Sequence, residues 1–375
     1  MPTDRDQDLT PQPSQTNAYR AVGELYHAYL TGLILRTVMQ RGRHDAAELV
    51  FRVFRRQHLE KFIPGLEKLS LTALPDAVAA AQYHYLSNHL GGVNVEFMVE
   101  SDRKAWIRYV PPRWIFDGTA ICAIPTEVSR AMLRAWHAHN GVSLGNPRLG
   151  FVCTKQTTDG QPGLEGYYFE YDRDLAPEER LRFEPGEDGP DFDPERAPKL
   201  PADEWPEDRR QKTSRNYAMQ YVRNIIPETI RLFGPADGGH LARTAARLIG
   251  MQYYGRIASL IGIDGRRPED FARFLTILGD AQGDRVDHVS DVDGVKVSQI
   301  GWRLMQGLKG LPPEAFDAWN GLWEGAACVH NRHLKFDVVE RIDRGGPNFV
   351  WKIRLWNREV GQREATGPAS DAPDN

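Results

Sequence analysis

The sequence predicts an α+β fold made of two diverged tandem copies of one unit, in which a helical segment precedes a β-hairpin, a helix and a second β-hairpin. Two observations support this prediction. The same landmarks recur in the same order in both halves of the chain. Each half also contains paired runs of alternating aromatic and β-branched residues, which are typical of antiparallel strands. In each half we expect an antiparallel sheet that helices cover on one face.

Each copy contains, in order, a helix opened by proline, a hairpin that leads to a tryptophan, a helix, a Leu-x-Phe strand start and a Gly-x-Pro turn. The strand starts and the turns of the two copies lie at one common offset of 185 residues. Such ordered landmarks favour a tandem duplication over coincidence. They are Pro75, Trp114, Leu149-Gly-Phe151 and Gly160-Gln-Pro162 in the first copy, and Pro268, Trp302, Leu334-Lys-Phe336 and Gly345-Gly-Pro347 in the second.

A break in composition separates the copies. Residues 172–210 hold 14 acidic residues, seven basic residues and seven prolines, with little apolar periodicity. Such a segment buries too little apolar surface to form its own core. We therefore predict a disordered lead-in at 1–16, a first α+β domain at 17–171 that carries the site, an acidic, proline-rich linker or arm at 172–212, a second α+β domain at 213–357 and a disordered tail at 358–375.

The composition excludes several classes of protein. The 375 residues are 41% hydrophobic and 26% charged, as in a globular protein, and the net charge is −4. That charge gives no general attraction to nucleic acid or anionic lipid, and no apolar run is long enough to span a membrane. A polar N-terminus and only three cysteines predict a cytoplasmic protein without disulfides. A homodimer remains open.

One catalytic pattern matches by its letters, the G-x-S-x-G of Gly141, Ser143 and Gly145. In hydrolases this motif needs a strand before the serine and a helix after it. Here a helix precedes the motif and a strand follows, so we reject a nucleophile elbow and expect Gly141 to end the helix. Nucleotide-binding glycine loops and the H-E-x-x-H zinc motif do not occur.

A cluster of metal-ligand types lies at the junction before the third strand of the second copy. Cys328, His330 and His333 could supply two or three ligands to Zn²⁺ or another transition metal. The alternative is that the histidines bond the end of the preceding helix, where the helix dipole favours a cation. No fourth ligand is evident, so we expect no cofactor, with a transition metal as the alternative.

The helix after Pro75 is apolar nearly all round and is therefore predicted to be buried. Tyr85, Asn88 and His89 gather on one side of it. Buried polar groups without partners cost roughly 1–3 kcal/mol each, so this set either satisfies itself or lines a pocket. We predict that Tyr85 and Asn88 orient a substrate and that His89 acts as a general base.

Glu96 lies on the strand that follows, on the same face as Asn94. In a sheet covered on one side this face would normally meet solvent. If Glu96 instead points inward, burial would raise its pKa and suit it to act as the general base in place of His89.

Aromatic residues crowd both halves, and nine are tryptophans. They either form an aromatic core or line a flat pocket for a ring-bearing ligand. For the pocket we select Trp114 and Trp136, together with His139 at the end of the helix that contains Trp136.

The order of elements resembles that of small-molecule-binding α+β domains of the 4-vinyl reductase type. It is also similar to the L-2-amino-thiazoline-4-carboxylic acid hydrolase-like family, whose members open or hydrolyse small heterocycles. The resemblance covers the run from the third helix to the last hairpin, and it transfers no catalytic residue. It implies a hydrolase or a cofactor-independent lyase that acts on a ring-containing, carboxylated small molecule. A non-catalytic binding or sensor protein is the alternative.

Overall fold

The computed structural model describes residues 14–112, 115 and 117–356, and the fold is α+β as predicted. The helices are α1 (Gln15–Arg41), α2 (Arg43–Lys68), α3 (Asp76–Leu90), α4 (Thr126–Ala135), α5 (Asn140–Leu144), α6 (Glu207–Leu260), α7 (Pro268–Gln282) and α8 (Pro313–His330). The strands are β1 (Val95–Ser101), β2 (Lys104–Tyr109), β3 (Leu149–Lys155), β4 (Leu164–Glu170), β5 (Leu181–Phe183), β6 (Arg285–Asp291), β7 (Gly294–Ile300), β8 (Leu334–Glu340) and β9 (Phe349–Leu355).

The two halves have the same strand order, which confirms the predicted repeat. The first sheet runs β1-β2-β4-β3 and the second runs β6-β7-β9-β8. Neighbouring strands in these sets are antiparallel, and the first sheet gains β5 as a parallel edge strand beside β3. The third and fourth strands of each set even share a register shift, between Cys153 and Lys155 in one sheet and between Val338 and Glu340 in the other. A bulge at the same offset of 185 residues is difficult to obtain by chance.

The helix before the third strand differs between the halves. In the second half α8 is continuous, whereas in the first half a 3-10 turn at His137–His139 separates α4 from α5. Our expectation that Gly141 ends this helix is wrong: Gly141 lies inside α5, and Gly145, at φ 72°, ends it. A side chain at Gly141 would place Cβ 2.5 Å from the carbonyl oxygen of Leu149, so glycine lets α5 pack directly on the start of β3.

One hydrophobic core runs through both halves. It contains buried residues of α1, α2 and α4 from the first half and of α6, α7, α8 and the second sheet. The Tyr26 hydroxyl on α1 donates to Gln282 Oε1 on α7 at 2.6 Å, and the Tyr29 hydroxyl donates to the Ala242 carbonyl on α6 at 3.0 Å. A second core lies between α3 and the first sheet. The two repeats are therefore separate in the sequence, but both contribute side chains to one hydrophobic core.

The acidic arm packs on the face of the first sheet that is turned away from α3. The Gly189 amide donates to Glu165 Oε1 at 3.2 Å, Lys104 pairs with Glu187 at 2.9 Å, and Arg108 donates to the Pro190 carbonyl at 3.4 Å. Residues 184–190, which we term the strap, therefore lie across β2 and β4. The helix α6 begins at Glu207, six residues before the predicted start of the second domain.

The predicted lead-in at 1–16 overlaps α1, which begins at Gln15 because the Ser14 hydroxyl accepts a hydrogen bond from the Asn17 amide at 3.3 Å. The remainder of the lead-in, and the tail predicted at 358–375, lie outside the described residues. No helix within the described part of the chain is both long and apolar enough to cross a membrane.

Candidate active site

The structure does not bring the predicted catalytic pair together. His89 is exposed on α3, and Glu96 lies on the strap side of the sheet, opposite α3. There Glu96 accepts from Arg108 Nη1 at 2.6 Å. The prediction that His89 lies on the buried face of α3 is therefore wrong, and so is the prediction that Glu96 points towards that helix. The buried side of α3 is centred near His84, so the predicted face is displaced by about one residue.

The other residues selected on and near α3 have structural partners. Tyr85 stacks on Phe97 with ring centroids 5.8 Å apart. Asn88 donates to the backbone carbonyl of His84 at 2.7 Å and also lines a small internal cavity. Trp114 lies outside the described residues.

Trp136 and His139 do belong to an aromatic cluster near the broken helix. Trp136 stacks on Tyr83 with centroids 6.0 Å apart, and it meets His84 edge-on at 5.5 Å. His139 meets His58 edge-on at 5.2 Å. Burial, with a smaller contribution from the Arg55 cation, lowers the pKa of His139 to about 4.

The three residues selected as metal ligands do not surround a common point, because each contacts a different partner. Cys328 Sγ accepts from the Arg247 guanidinium at 3.3 Å, whereas His333 is exposed beside Arg332. His330 is buried, with Nδ1 bonded to the Tyr254 hydroxyl and Nε2 donating to the Arg267 carbonyl at 2.9 Å. His330 thus bonds the backbone at the start of α7, and not the end of its own helix α8 as the alternative to a metal had it. Among the described residues no group of three or more histidines, cysteines and carboxylates could hold a metal ion.

A closed ring of hydrogen-bonded side chains lies between α3 and the first sheet. Asn140 Nδ2 donates to Tyr168 Oη at 2.9 Å and contacts His84 Nε2 at 3.1 Å. His84 Nδ1 contacts the Tyr109 hydroxyl at 3.2 Å, Tyr109 contacts His137 Nε2 at 3.4 Å, and His137 Nδ1 contacts Tyr168 Oη at 2.6 Å. The two imidazoles stack with centroids 4.2 Å apart. We term these five residues the His–Tyr ring.

The bonding pattern assigns the protons of the His–Tyr ring. Asn140 bonds both neighbours through Nδ2, which can only donate, so His84 Nε2 accepts and His84 Nδ1–H donates to Tyr109. Tyr168 accepts from Asn140, donates to His137 Nδ1 and leaves His137 Nε2–H to donate to Tyr109. Both imidazoles are then neutral. This agrees with burial, which holds the pKa of His84 well below its ordinary value, helped by the neighbouring His137. The Tyr109 hydroxyl accepts one hydrogen bond from each imidazole.

The second half has no counterpart of this ring. When the two copies are aligned with the offset of 185 residues, Ile353 corresponds to Tyr168 and Leu322 corresponds to His137. There the space between helices and sheet is filled by large aromatic side chains. These include Trp302, Phe316, Trp319, Phe349 and Trp351. The fold of the repeat therefore does not require the polar ring, which is specific to the first half.

An internal cavity of about 70 Å³ adjoins the His–Tyr ring. His84, Tyr109 and His137 line it, as do the hydroxyl-bearing residues Ser87 and Ser129. At roughly 30 Å³ per water molecule, the cavity has room for about two waters with polar partners. A water molecule here would lie next to the two neutral imidazoles of the ring.

A larger cleft of about 670 Å³ opens between α2, α3, α6 and the loop after β7. Tyr83, Ser87 and Tyr217 line both the cleft and the inner cavity, and their hydroxyls are in hydrogen-bonding contact with one another. These three side chains form the wall between the two spaces. The position of Tyr83 depends on Gly65, because a Cβ there would lie 2.4 Å from the Tyr83 ring.

The cleft is strongly cationic. Lys61, Lys68, Arg223 and Arg303 line it, and Glu60 is the one carboxylate among its lining residues. Glu60 already pairs with Arg56 at 3.1 Å. The volume matches that of pockets which hold drug-sized ligands. A cationic cleft lined in part by tyrosine rings suits an anionic, ring-containing molecule.

The Ser143 hydroxyl lies 2.9 Å from His58 Nε2, which recreates two members of a catalytic triad. His58 Nδ1 is buried without a partner, so no third group orients the imidazole. Burial, together with the neighbouring His139, lowers the pKa of His58 to about 2, too low for an efficient base near neutral pH. Ser143 and His58 line neither the cleft nor the inner cavity. The geometry therefore agrees with the rejection of a nucleophile elbow.

Comparison with protein families, with curated proteins and with solved structures found no match. The interpretation of the site accordingly depends on its geometry and chemistry alone. In the sequence, the signal for His84 and Tyr109 is weak. The other two lie near features that the sequence did indicate: His137 is two positions from the selected His139, and Tyr168 is one of the aromatic residues that crowd the first half.

Proposed function

We propose that the chain is an enzyme that acts on a small, ring-containing, carboxylated molecule, by hydrolysis or by lyase chemistry that needs no cofactor. The observation that carries the proposal is the His–Tyr ring. The first copy of the repeat buries these five polar side chains. The second copy fills the corresponding space with large apolar side chains. A buried polar network is costly unless it is fully bonded, so its presence in one copy only favours a chemical role.

The proposed chemistry is proton transfer. Tyr109 lines the inner cavity and accepts a hydrogen bond from each imidazole. Tyr109 gives its hydroxyl proton to the leaving group, and the two imidazole N–H groups stabilise the phenolate that this leaves. The phenolate then takes a proton from the attacking water in hydrolysis, or from a substrate carbon in lyase chemistry, which restores the hydroxyl. Acid–base catalysis of this kind is typically worth 10²–10⁴-fold in rate.

The proposed substrate occupies the cleft. Tyr83 and Tyr217 offer aromatic surface at the wall next to the inner cavity, while the cationic residues offer partners for a carboxylate. Reaction requires the wall of Tyr83, Ser87 and Tyr217 to part, so that the ring of the substrate reaches the cavity.

The experiment is a turnover screen with five- and six-membered heterocyclic carboxylates, followed by proton NMR. We expect wild-type protein to convert at least one of them, and His84→Phe to lower the rate about a hundredfold or more while binding changes little. His89→Ala is the matched control, because His89 lies on the same helix but is exposed. Equal rates for wild type and His84→Phe would contradict the proposal.

The alternative function is non-catalytic binding of the same class of molecule, and one observation favours it. The wall of Tyr83, Ser87 and Tyr217 separates the cleft from the His–Tyr ring. If the wall stays closed, a ligand binds in the cleft and never meets the histidines. The screen would then give binding without product, and His84→Phe would leave the affinity unchanged.

A further inference from the structure

The four cleft cations differ from the other charged groups that surround them. No described carboxylate lies within ion-pair distance of Lys61, Lys68, Arg223 or Arg303. Nearby arginines on α2 and α6 are paired, as Arg56 is with Glu60 and Arg231 is with Glu228. The positive charge of the cleft is therefore not neutralised by a carboxylate among the described residues, in a chain with a net charge of −4. The partners that these side chains do have are uncharged: Lys68 lies over the Trp205 ring, and Arg223 donates to backbone carbonyls.

The cations occupy opposite walls of the cleft. Lys61 and Lys68 lie on one face of α2, seven residues apart, which places their Cα atoms about 10 Å apart along the helix. Arg223 lies on α6, where it donates to the carbonyls of Leu304 and Gln306 and so holds the loop that carries Arg303. The positive charge is thus distributed along and across the cleft.

We infer that the cleft binds a small molecule with at least two separated anionic groups. This inference rests on the proposed function, in which the ligand carries a ring and one carboxylate, and it adds a second anionic group. One carboxylate would neutralise only one end of the cleft. Lys61, Lys68 and Arg303 are exposed, whereas Arg223 is half-buried. Partial burial, with help from Arg209, still lowers the pKa of Lys68, and burial lowers the pKa of Arg223. Both charges gain from an anionic partner.

The test is isothermal titration calorimetry at low ionic strength with benzoate, terephthalate and biphenyl-4,4′-dicarboxylate. These probes share an aromatic ring and differ in the number and separation of their carboxylates. We expect at least one dicarboxylate to bind tenfold or more tightly than benzoate, and we expect this advantage to shrink in high salt because charged contacts are screened. Inorganic tripolyphosphate, which carries the charge without a ring, forms a fourth arm. If it binds more tightly than the dicarboxylates, the anionic groups are phosphates rather than carboxylates.

The variants identify the cations involved. The double substitution Lys61→Ala/Lys68→Ala and the single Arg303→Ala should each remove most of the dicarboxylate advantage while changing benzoate affinity about threefold or less. Lys296→Ala is the control, because Lys296 is an exposed lysine on β7 outside the cleft. Equal affinities for benzoate and both dicarboxylates, or no effect of the cleft variants, would overturn the inference. Failure of the proposed function has a different signature, namely tight dicarboxylate binding without turnover of any heterocycle.

Discussion

At the scale of single residues, the site depends on the protonation states of buried groups. The His–Tyr ring is closed only when both imidazoles are neutral, since each must accept one hydrogen bond and donate another. Removing one member takes one hydrogen bond from each of its two neighbours. The contribution of each residue is therefore coupled to that of the others.

His137→Leu introduces the residue that occupies the corresponding position of the second half. We expect it to lower the free energy of unfolding by about 2 kcal/mol, because the hydroxyls of Tyr109 and Tyr168 each lose a buried partner. Tyr168→Phe in the same chain should cost less than it does alone, since the two residues share a hydrogen bond. Urea denaturation of the single and double variants gives the coupling energy, and strict additivity would contradict the bonding scheme.

The buried histidines also predict a dependence of stability on pH. Burial lowers the pKa of His58 to about 2 and that of His27 to about 4, and His84 is held well below its ordinary value. Below about pH 6.5 the unfolded chain binds protons that the folded protein does not, so stability falls as the pH falls towards 4. Burial raises the pKa of Asp284 to about 6, and this carboxyl has the opposite effect below that pH. Each histidine that stays neutral in the folded protein adds up to about 1.4 kcal/mol per pH unit to this loss. His58→Phe should reduce this slope by about 1.4 kcal/mol per unit in urea denaturation at pH 4.5–6.5, and an unchanged slope would be inconsistent with a neutral His58.

At the scale of elements, the strap is held by a buried carboxylate on the first sheet. The Glu165 side chain is fully buried and accepts from Lys155 at 2.9 Å, from Arg108 and from the Gly189 amide. Burial alone would raise the pKa of Glu165, but Lys155 and Arg108 hold it below its usual range. Glu165 thus connects three separate segments of the chain.

We expect Glu165→Val to release the strap and to cost roughly 2 kcal/mol. This is less than for a fully buried ion pair, because Arg108 keeps 26% of its side chain exposed. Trypsin should then cleave faster after Arg182 and Arg196, which flank the strap. Glu195→Val is the control, since the Glu195 carboxylate is largely exposed and pairs only with Lys199. Equal cleavage rates for the two variants would contradict the role of Glu165.

The elements differ in how far the sequence determines them. The hairpins and their order were predicted because side chains alternate along a strand, and this pattern is local. The buried face of α3 was misjudged because the alanines at 77, 79, 80 and 81 surround the helix, so it has no single apolar stripe. The divergence of the three candidate metal ligands was not foreseen because the partner of His330 is Tyr254 on α6, which no local pattern indicates.

At the scale of the whole molecule, the two repeats are joined by a common core. The N-terminal helix α1 packs on α6 and α7 of the second half, and the Trp319 indole on α8 reaches the Tyr26 hydroxyl at 3.4 Å. The sequence landmarks revealed the repeat, but they did not reveal that helices of one repeat pack on the other. Packing between helices that are distant in the chain leaves no periodic pattern of its own in the sequence.

The shared core predicts that neither repeat folds alone. A fragment of residues 14–206 would expose the apolar face of α1, and a fragment of residues 207–356 would expose the facing surface of α6. Each should show low helicity and no cooperative unfolding in circular dichroism, whereas an equimolar mixture should regain both. Cooperative unfolding of either isolated fragment would contradict a single shared core.

The central claim is that the His–Tyr ring performs chemistry in the first half of the repeat. The most direct test compares turnover of a heterocyclic carboxylate by wild type and by the double variant His137→Leu/Tyr168→Phe, with ligand affinity measured on the same samples. Both proteins must be folded under the assay conditions. We predict a rate at least a hundredfold lower in the variant, with a dissociation constant within about threefold of wild type. Undiminished turnover by the folded double variant would contradict the claim.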